Sequence, residues 1–148
     1  MTLQEFIAQY PIHIESRIEW GDMDAYTHVN NTMFFRYFER VRMLFAEHIG
    51  FLAWREQHGI GPILASTQCR FRAPLKYPDT ITIGTRISEL QADRFLMQYA
   101  IYSHALQDIA AQGDGWLVSY DYNRGMKTEL PEVMREKLQA SMFDGLGL

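Results

Sequence analysis

One segment of the sequence repeats its apolar residues at helical spacing over several turns. Phe34, Tyr37, Phe38, Val41, Leu44, Phe45 and His48 share one face of a 3.6-residue period, and Arg36, Glu39, Arg40 and Glu47 fall largely on the other. Asn30 or Asn31 can cap its start by accepting from the first unpaired backbone N–H groups, and Gly50 is a natural stop. At 1.5 Å per residue such a helix is about 27 Å long, roughly the diameter of a small domain. A shorter helix is expected over Leu52–Gln57. Whatever else the chain forms must pack against the long one.

The remainder reads mostly as strands. Ile12, Ile14, Ile18 and Trp20 alternate with polar residues, which predicts a strand over Ile12–Trp20. Further strands are expected over Ile63–Arg72, Thr80–Ile87, Arg94–Tyr102 and Trp116–Tyr122, and a terminal helix over Pro131–Ala140. One strand, one long helix and then four strands is an α+β pattern with an antiparallel sheet. The whole of 1–148 is expected to be a single domain, with 1–11 an N-terminal extension and 131–148 a C-terminal helix and tail. In the fourth of these strands Phe95, Met97, Tyr99 and Ile101 lie on one parity, with Leu96 and Tyr102 on the other. One helix covers one face of a sheet, so the second apolar face predicts burial against another copy, as a homodimer or homotetramer.

Several function classes are excluded at this stage. With 14 Lys and Arg against 18 Asp and Glu, the net charge of −4 is wrong for a phosphate-backbone binder, so no nucleic acid is expected. Cys69 is the single cysteine and forms neither an internal disulfide nor a thiolate metal cage. It shares parity with Phe71, which favours a buried structural thiol. The five histidines lack metal-ligand spacing, and no dinucleotide, phosphate-loop, zinc-protease or nucleophile-elbow motif is present, so neither metal nor cofactor is expected. No signal peptide or apolar run long enough for a membrane span is seen, and a reduced, cytoplasmic protein is expected.

The segment from Trp20 to Asn31 concentrates Asp22, Asp24, His28, Asn30 and Asn31 between a strand end and the start of the long helix. A helix N-terminus presents unpaired N–H groups and the positive end of its dipole, which suits a developing oxyanion. A carboxylate beside it can act as nucleophile or general base on the same centre. The same residues are also common in ordinary turns and caps.

Gly21 to Asn31 (Gly-Asp-Met-Asp-Ala-Tyr-Thr-His-Val-Asn-Asn), followed by Phe35 to Arg42 (Phe-Arg-Tyr-Phe-Glu-Arg-Val-Arg), resembles the hot-dog-fold acyl-CoA thioesterases of the 4-hydroxybenzoyl-CoA thioesterase type. Pro74 to Asp79 resembles that family's turn between its second and third strands, and Tyr120 to Lys127 with Leu130 to Glu132 its last strand and tail. The likeness extends over roughly Ile12 to Leu138. It implies a long helix wrapped by a curved antiparallel sheet, dimers with sites at their interface, and hydrolysis of acyl-CoA to a free acid and coenzyme A. Acyl carrier protein as the carrier and a non-catalytic thioester-binding module are the alternatives.

Asp24 falls on the family's catalytic aspartate, as nucleophile or general base, and Asp22 on a loop-holding one. Val29, Asn30 and Asn31 begin the helix whose backbone N–H groups would polarise the thioester carbonyl. His28 would orient substrate or water, or pack the loop. Tyr26 and Phe34 are candidates for the acyl pocket and equally for the core. Glu39, three residues from both Arg36 and Arg42, is expected to form a structural ion pair. Arg70, Arg72, Arg124 and Lys127 are candidates to meet coenzyme A phosphates, against a role as exposed solubilising charge.

Overall fold

The structure is a computed structural model that describes residues 1–143; the end of the expected tail, 144–148, lies outside the described residues. Helix α1 is Leu3–Gln9, strand β1 Ile12–Arg17, helix α2 Asn31–Ile49 and helix α3 Phe51–His58. Strands β2 (Ile60–Phe71), β3 (Thr80–Leu90), β4 (Arg94–Ser103), β5 (Asp108–Asp121) and the short β6 (Met126–Lys127) follow, then helix α4 (Glu132–Ala140). The sheet order is β1-β3-β4-β5-β2, with β6 beside β5. β1 runs antiparallel to β3, from Ile12 opposite Thr85 to Arg17 opposite Thr80. The α+β expectation therefore holds.

The chain packs as two compact units. The first comprises Met1–Arg42, Cys69–Thr85 and Tyr99–Gly113. In it the apolar stripe of α2 buries Phe34, Tyr37, Phe38 and Val41, and the Phe38 ring stacks on Tyr99 of β4 with centroids 4.8 Å apart. Arg40 leaves this face to donate to Ser16 Oγ at 3.1 Å, which ties α2 to β1.

The opposite parity of the same strands meets α1, an element that the sequence reading left unassigned. Phe6 and Tyr10 pack on Ala100, Tyr102 and Ile109, with Leu3 and Ile7 beside them. The signal was present: Leu3, Phe6, Ile7 and Tyr10 lie at helical spacing, and Thr2 with Glu5 forms a capping box. Helix α1 thus covers the part of the second face around Ala100 and Tyr102, which the sequence reading had assigned to another copy.

Gly84 allows the close fit, because a Cβ there would lie 2.5 Å from Tyr10 Cβ and 3.0 Å from Phe6 Cζ. Tyr10 Cβ is fixed to the backbone and cannot swing away, so Gly84→Ala must push α1 off the sheet. Overpacking of this kind costs about 1–3 kcal/mol, and a chain of this size loses about 2–4 °C of Tm per kcal/mol. Thermal unfolding should show a fall in Tm of a few degrees or more; an unchanged Tm would contradict this packing.

Among the described residues the second unit comprises Met43–Gln68, Arg86–Gln98 and 114–143. Phe51 of α3 stacks on Phe95 of β4 at 5.7 Å, and α4 buries Met134 and Leu138. Gly50 separates α2 from α3 at φ +96°, a left-handed conformation that glycine adopts without a Cβ penalty. Lys137 Nζ donates to the Ile49 carbonyl at 3.3 Å, satisfying one of the unpaired acceptors at the end of α2.

Three local expectations change. Leu44 and His48 are exposed, and Ala46 and Ile49 are buried in their place, because the buried stripe drifts around the helix over its last turns. Trp20 is 72% exposed, because the strand ends at Arg17 and Trp20–Asp22 turn as a single 3₁₀ turn. β5 starts at Asp108 instead of Trp116, because the strand continues through Ala110 to Gly115, a stretch whose alanines, glycines and polar residues carry no apolar alternation. The outer strand β2 is exposed along most of its length, including Ile63, Leu64 and Phe71.

Candidate active site

The loop between β1 and α2 is built as a small hairpin. Met23 and Val29 form an isolated antiparallel bridge, and Asp24 N–H donates to the His28 carbonyl at 3.0 Å. Inside it, Thr27 N–H donates to the Asp24 carbonyl at 3.0 Å, and Asp24 Oδ1 accepts from Tyr26 N–H at 2.9 Å. Asp24 is exposed. Thr27 sits at φ +60°, a left-handed conformation that is unfavourable for a β-branched residue.

Asp22, the other carboxylate, is engaged within the protein. Its Oδ2 accepts from Glu19 N–H at 2.9 Å and from the Tyr37 hydroxyl at 3.0 Å. Burial, with the Asp22 charge beside it, pushes the Tyr37 phenol well above its ordinary range, so it remains a donor at any working pH.

The helix start is capped by Asn30, whose Oδ1 accepts from Thr32 N–H and Thr32 Oγ1, each at 2.9 Å. Val29 N–H donates to the Leu75 carbonyl at 2.8 Å and Asn30 N–H to the Asp22 carbonyl at 2.9 Å. Of Val29, Asn30 and Asn31, Asn31 alone has an N–H with no hydrogen-bond partner among the described residues.

A cavity of about 310 Å³ opens beside this helix start, within the first unit. His28, Val29, Asn31 and Phe34 line one side, and Phe71, Arg72, Ala73 and Pro74 the other. Phe34 meets Phe71 edge to face at 4.9 Å. Arg72 Nη1 donates to Gln112 Oε1 at 3.2 Å, leaving further guanidinium donors for a ligand.

The structure thus brings His28, Val29, Asn31, Phe34 and Arg72 to one cavity. Asn30 caps the adjoining helix. Tyr26 is 84% exposed and does not line the cavity. Arg70 is exposed on β2, and Arg124 and Lys127 are exposed in the second unit. Glu39 faces solvent with Arg42 Nη2 at 4.0 Å, the spacing expected of a helix-surface pair. Phe71, Ala73 and Pro74 were absent from the sequence-derived candidates. The Pro74–Asp79 turn motif was visible, but the pairing of Phe71 with Phe34, 37 residues earlier, leaves no local signal.

Cys69 is half-buried, and burial pushes its thiol up to about 11, which keeps it protonated and unreactive near neutrality. Among the described residues no group of three or more His, Cys, Asp or Glu side chains is arranged to hold a metal ion. Among the described residues no helix is long and apolar enough to cross a membrane.

The family profile of the thioesterase-like superfamily matches residues 18–138. The long-chain acyl-CoA thioesterase FadM of Escherichia coli (strain K12) is 23% identical over 117 residues, covering 79% of this chain and 89% of its own. The crystal structure of a 1,4-dihydroxy-2-naphthoyl-CoA thioesterase from Synechocystis aligns with a TM-score of 0.76 at 16% identity, over 86% of this chain and 95% of that one. A thioesterase from Thermus thermophilus, complexed with coenzyme A and Zn, aligns with a TM-score of 0.77 at 25% identity, over 88% of this chain and 98% of that one. The profile match spans most of the sequence and includes both the Asp22–Asn31 loop and the long helix. The chain therefore belongs to the thioesterase-like superfamily, and it has the hot-dog fold.

Proposed function

We propose that this chain hydrolyses acyl-CoA, consuming one water and releasing the carboxylic acid and the free thiol of coenzyme A. Asp24 acts either as the nucleophile on the thioester carbonyl or as the base that takes a proton from the attacking water. One observation carries the reading: Asp24 is hydrogen-bonded through its backbone to His28, which lines the cavity at the N-terminus of α2. The Asn31 N–H and the dipole of α2 stabilise the charge that develops on the carbonyl oxygen. His28 orients the substrate or the water. Phe34 and Phe71 hold the apolar part, and Arg72 meets a coenzyme A phosphate, aided by Arg70 at the cavity's outer strand.

The test is thiol release across a panel of acyl-CoA thioesters, with matched acyl groups on acyl carrier protein. Turnover of acyl-CoA is expected to exceed that of the carrier-bound groups. Preference for the carrier would replace coenzyme A as the natural leaving group. Tight binding without thiol release anywhere in the panel would replace hydrolysis by sensing.

Exposure of β2 supports an assembly of two or more copies. A strand of 12 residues at the end of the sheet order, exposed along most of its length, presents unpaired backbone groups and the side chains of Ile63 and Leu64. A second copy of the chain covers it in this reading. Sedimentation analysis should give at least twice the 17.3 kDa of one chain, whereas a monomer at micromolar concentration would rule the pairing out.

A further inference from the structure

We propose that Tyr37 is a positioning residue for hydrolysis: its hydroxyl ties the root of the Asp24 loop to the helix that presents the Asn31 N–H. This rests on the reading of Asp24 as the reacting carboxylate. The two halves of the site come from different pieces of backbone, a loop carrying the carboxylate and a helix end carrying the N–H. Besides the chain itself, something must fix one against the other.

Tyr37 is suited to this. Its side chain is fully buried, with the Phe34 ring edge-on at 6.1 Å and the Arg40 guanidinium 5.4 Å from its centroid. Arg40 is itself held by Ser16 of β1. The ring is thus immobilised by packing, and its hydroxyl donates to Asp22 Oδ2 at 3.0 Å. Asp22 is also joined to the helix start, through its carbonyl to Asn30 N–H at 2.9 Å. Asp22 is therefore bonded on both sides, to the helix cap by its backbone and to the second turn of α2 by its carboxylate. Asp24 follows two residues later. The strained backbone of Thr27 persists only where its surroundings over-determine the loop, and this tether is part of that constraint.

A displacement of about 1 Å in a catalytic group is enough to cost up to about 10²-fold in rate. Tyr37→Phe keeps the ring and removes the hydroxyl. It should lower kcat on the best acyl-CoA by about 10-fold to 100-fold, with KM held within about twofold. Asp22→Ala should fall likewise, and Asp22→Asn, which keeps an oxygen for both donors, should regain most of the loss. A residue that only stabilises the fold would lower Tm and leave kcat per folded molecule unchanged, which would overturn the proposal. In an Asp24→Asn background, Tyr37→Phe should add no further loss in single-turnover assays; an equal loss in both backgrounds would mean that Tyr37 does not act through Asp24. An inactive Asp24→Asn beside a fully active Tyr37→Phe overturns the tether alone. A fully active Asp24→Asn overturns the catalytic reading instead.

Discussion

Asp24→Asn should lose thioester hydrolysis by about 10²–10⁴-fold in kcat, the range typical of removing general acid–base work, with little change in KM. The substitution isolates the charge. Asp24 Oδ1 accepts from Tyr26 N–H, and an asparagine oxygen accepts the same bond, so the turn can keep its shape while the nucleophile or base is gone. Thiol release and Tm should be measured together. An Asn variant with parental turnover would remove Asp24 from the mechanism, and one with a large loss of Tm would show that the carboxylate also holds the loop.

Phe38→Ala should be among the most destabilising single changes in the first unit. Phe38 is fully buried in the stripe of α2 and stacks almost parallel on Tyr99, at 14° between planes. Truncating a buried phenylalanine costs about 3–5 kcal/mol, from lost transfer and the cavity left behind. Folded domains hold only about 5–15 kcal/mol in total. The expected fall in Tm is about 6–20 °C for a chain of this length. Phe38→Leu, which refills most of the space, should lose much less, and equal Tm values for the two variants would contradict the packing argument. Because the same helix presents Asn31 to the cavity, the Ala variant should also lower turnover near its unfolding transition.

How much of this was legible in the sequence follows from the range of each interaction. The helix carrying Phe34, Tyr37, Phe38 and Val41 was legible because its period is local and unbroken over several turns. Its start was legible to within one residue, as a cap at Asn30 or Asn31, because a cap needs only a side chain one or two residues away. Helix α1 was overlooked although Thr2 and Glu5 announce it. Trp20 and Leu44 were misplaced because both continue a pattern past the point where the packing changes: β1 ends where Ile18 N–H pairs with the Asp79 carbonyl, and the buried stripe of α2 drifts to Ala46 and Ile49.

The site divides along the same line. The motif from Gly21 to Asn31 was enough by itself to place Asp22 and Asp24 beside a helix N-terminus, and the proposal of Asp24 over Asp22 as the reacting carboxylate came from the family resemblance that the motif carries. Contiguous residues on a loop and the helix that follows it stay together in any fold that forms that helix. The tertiary structure decided what those residues face. It committed the N–H groups of Val29 and Asn30 to Leu75 and Asp22 and left that of Asn31 without a partner among the described residues, turned Tyr26 to solvent, brought Phe71 at the end of β2 and Arg72 after it to the cavity, and joined Tyr37 to Asp22. Such contacts depend on sheet order and on the approach of elements distant in sequence. No local period or spacing encodes them.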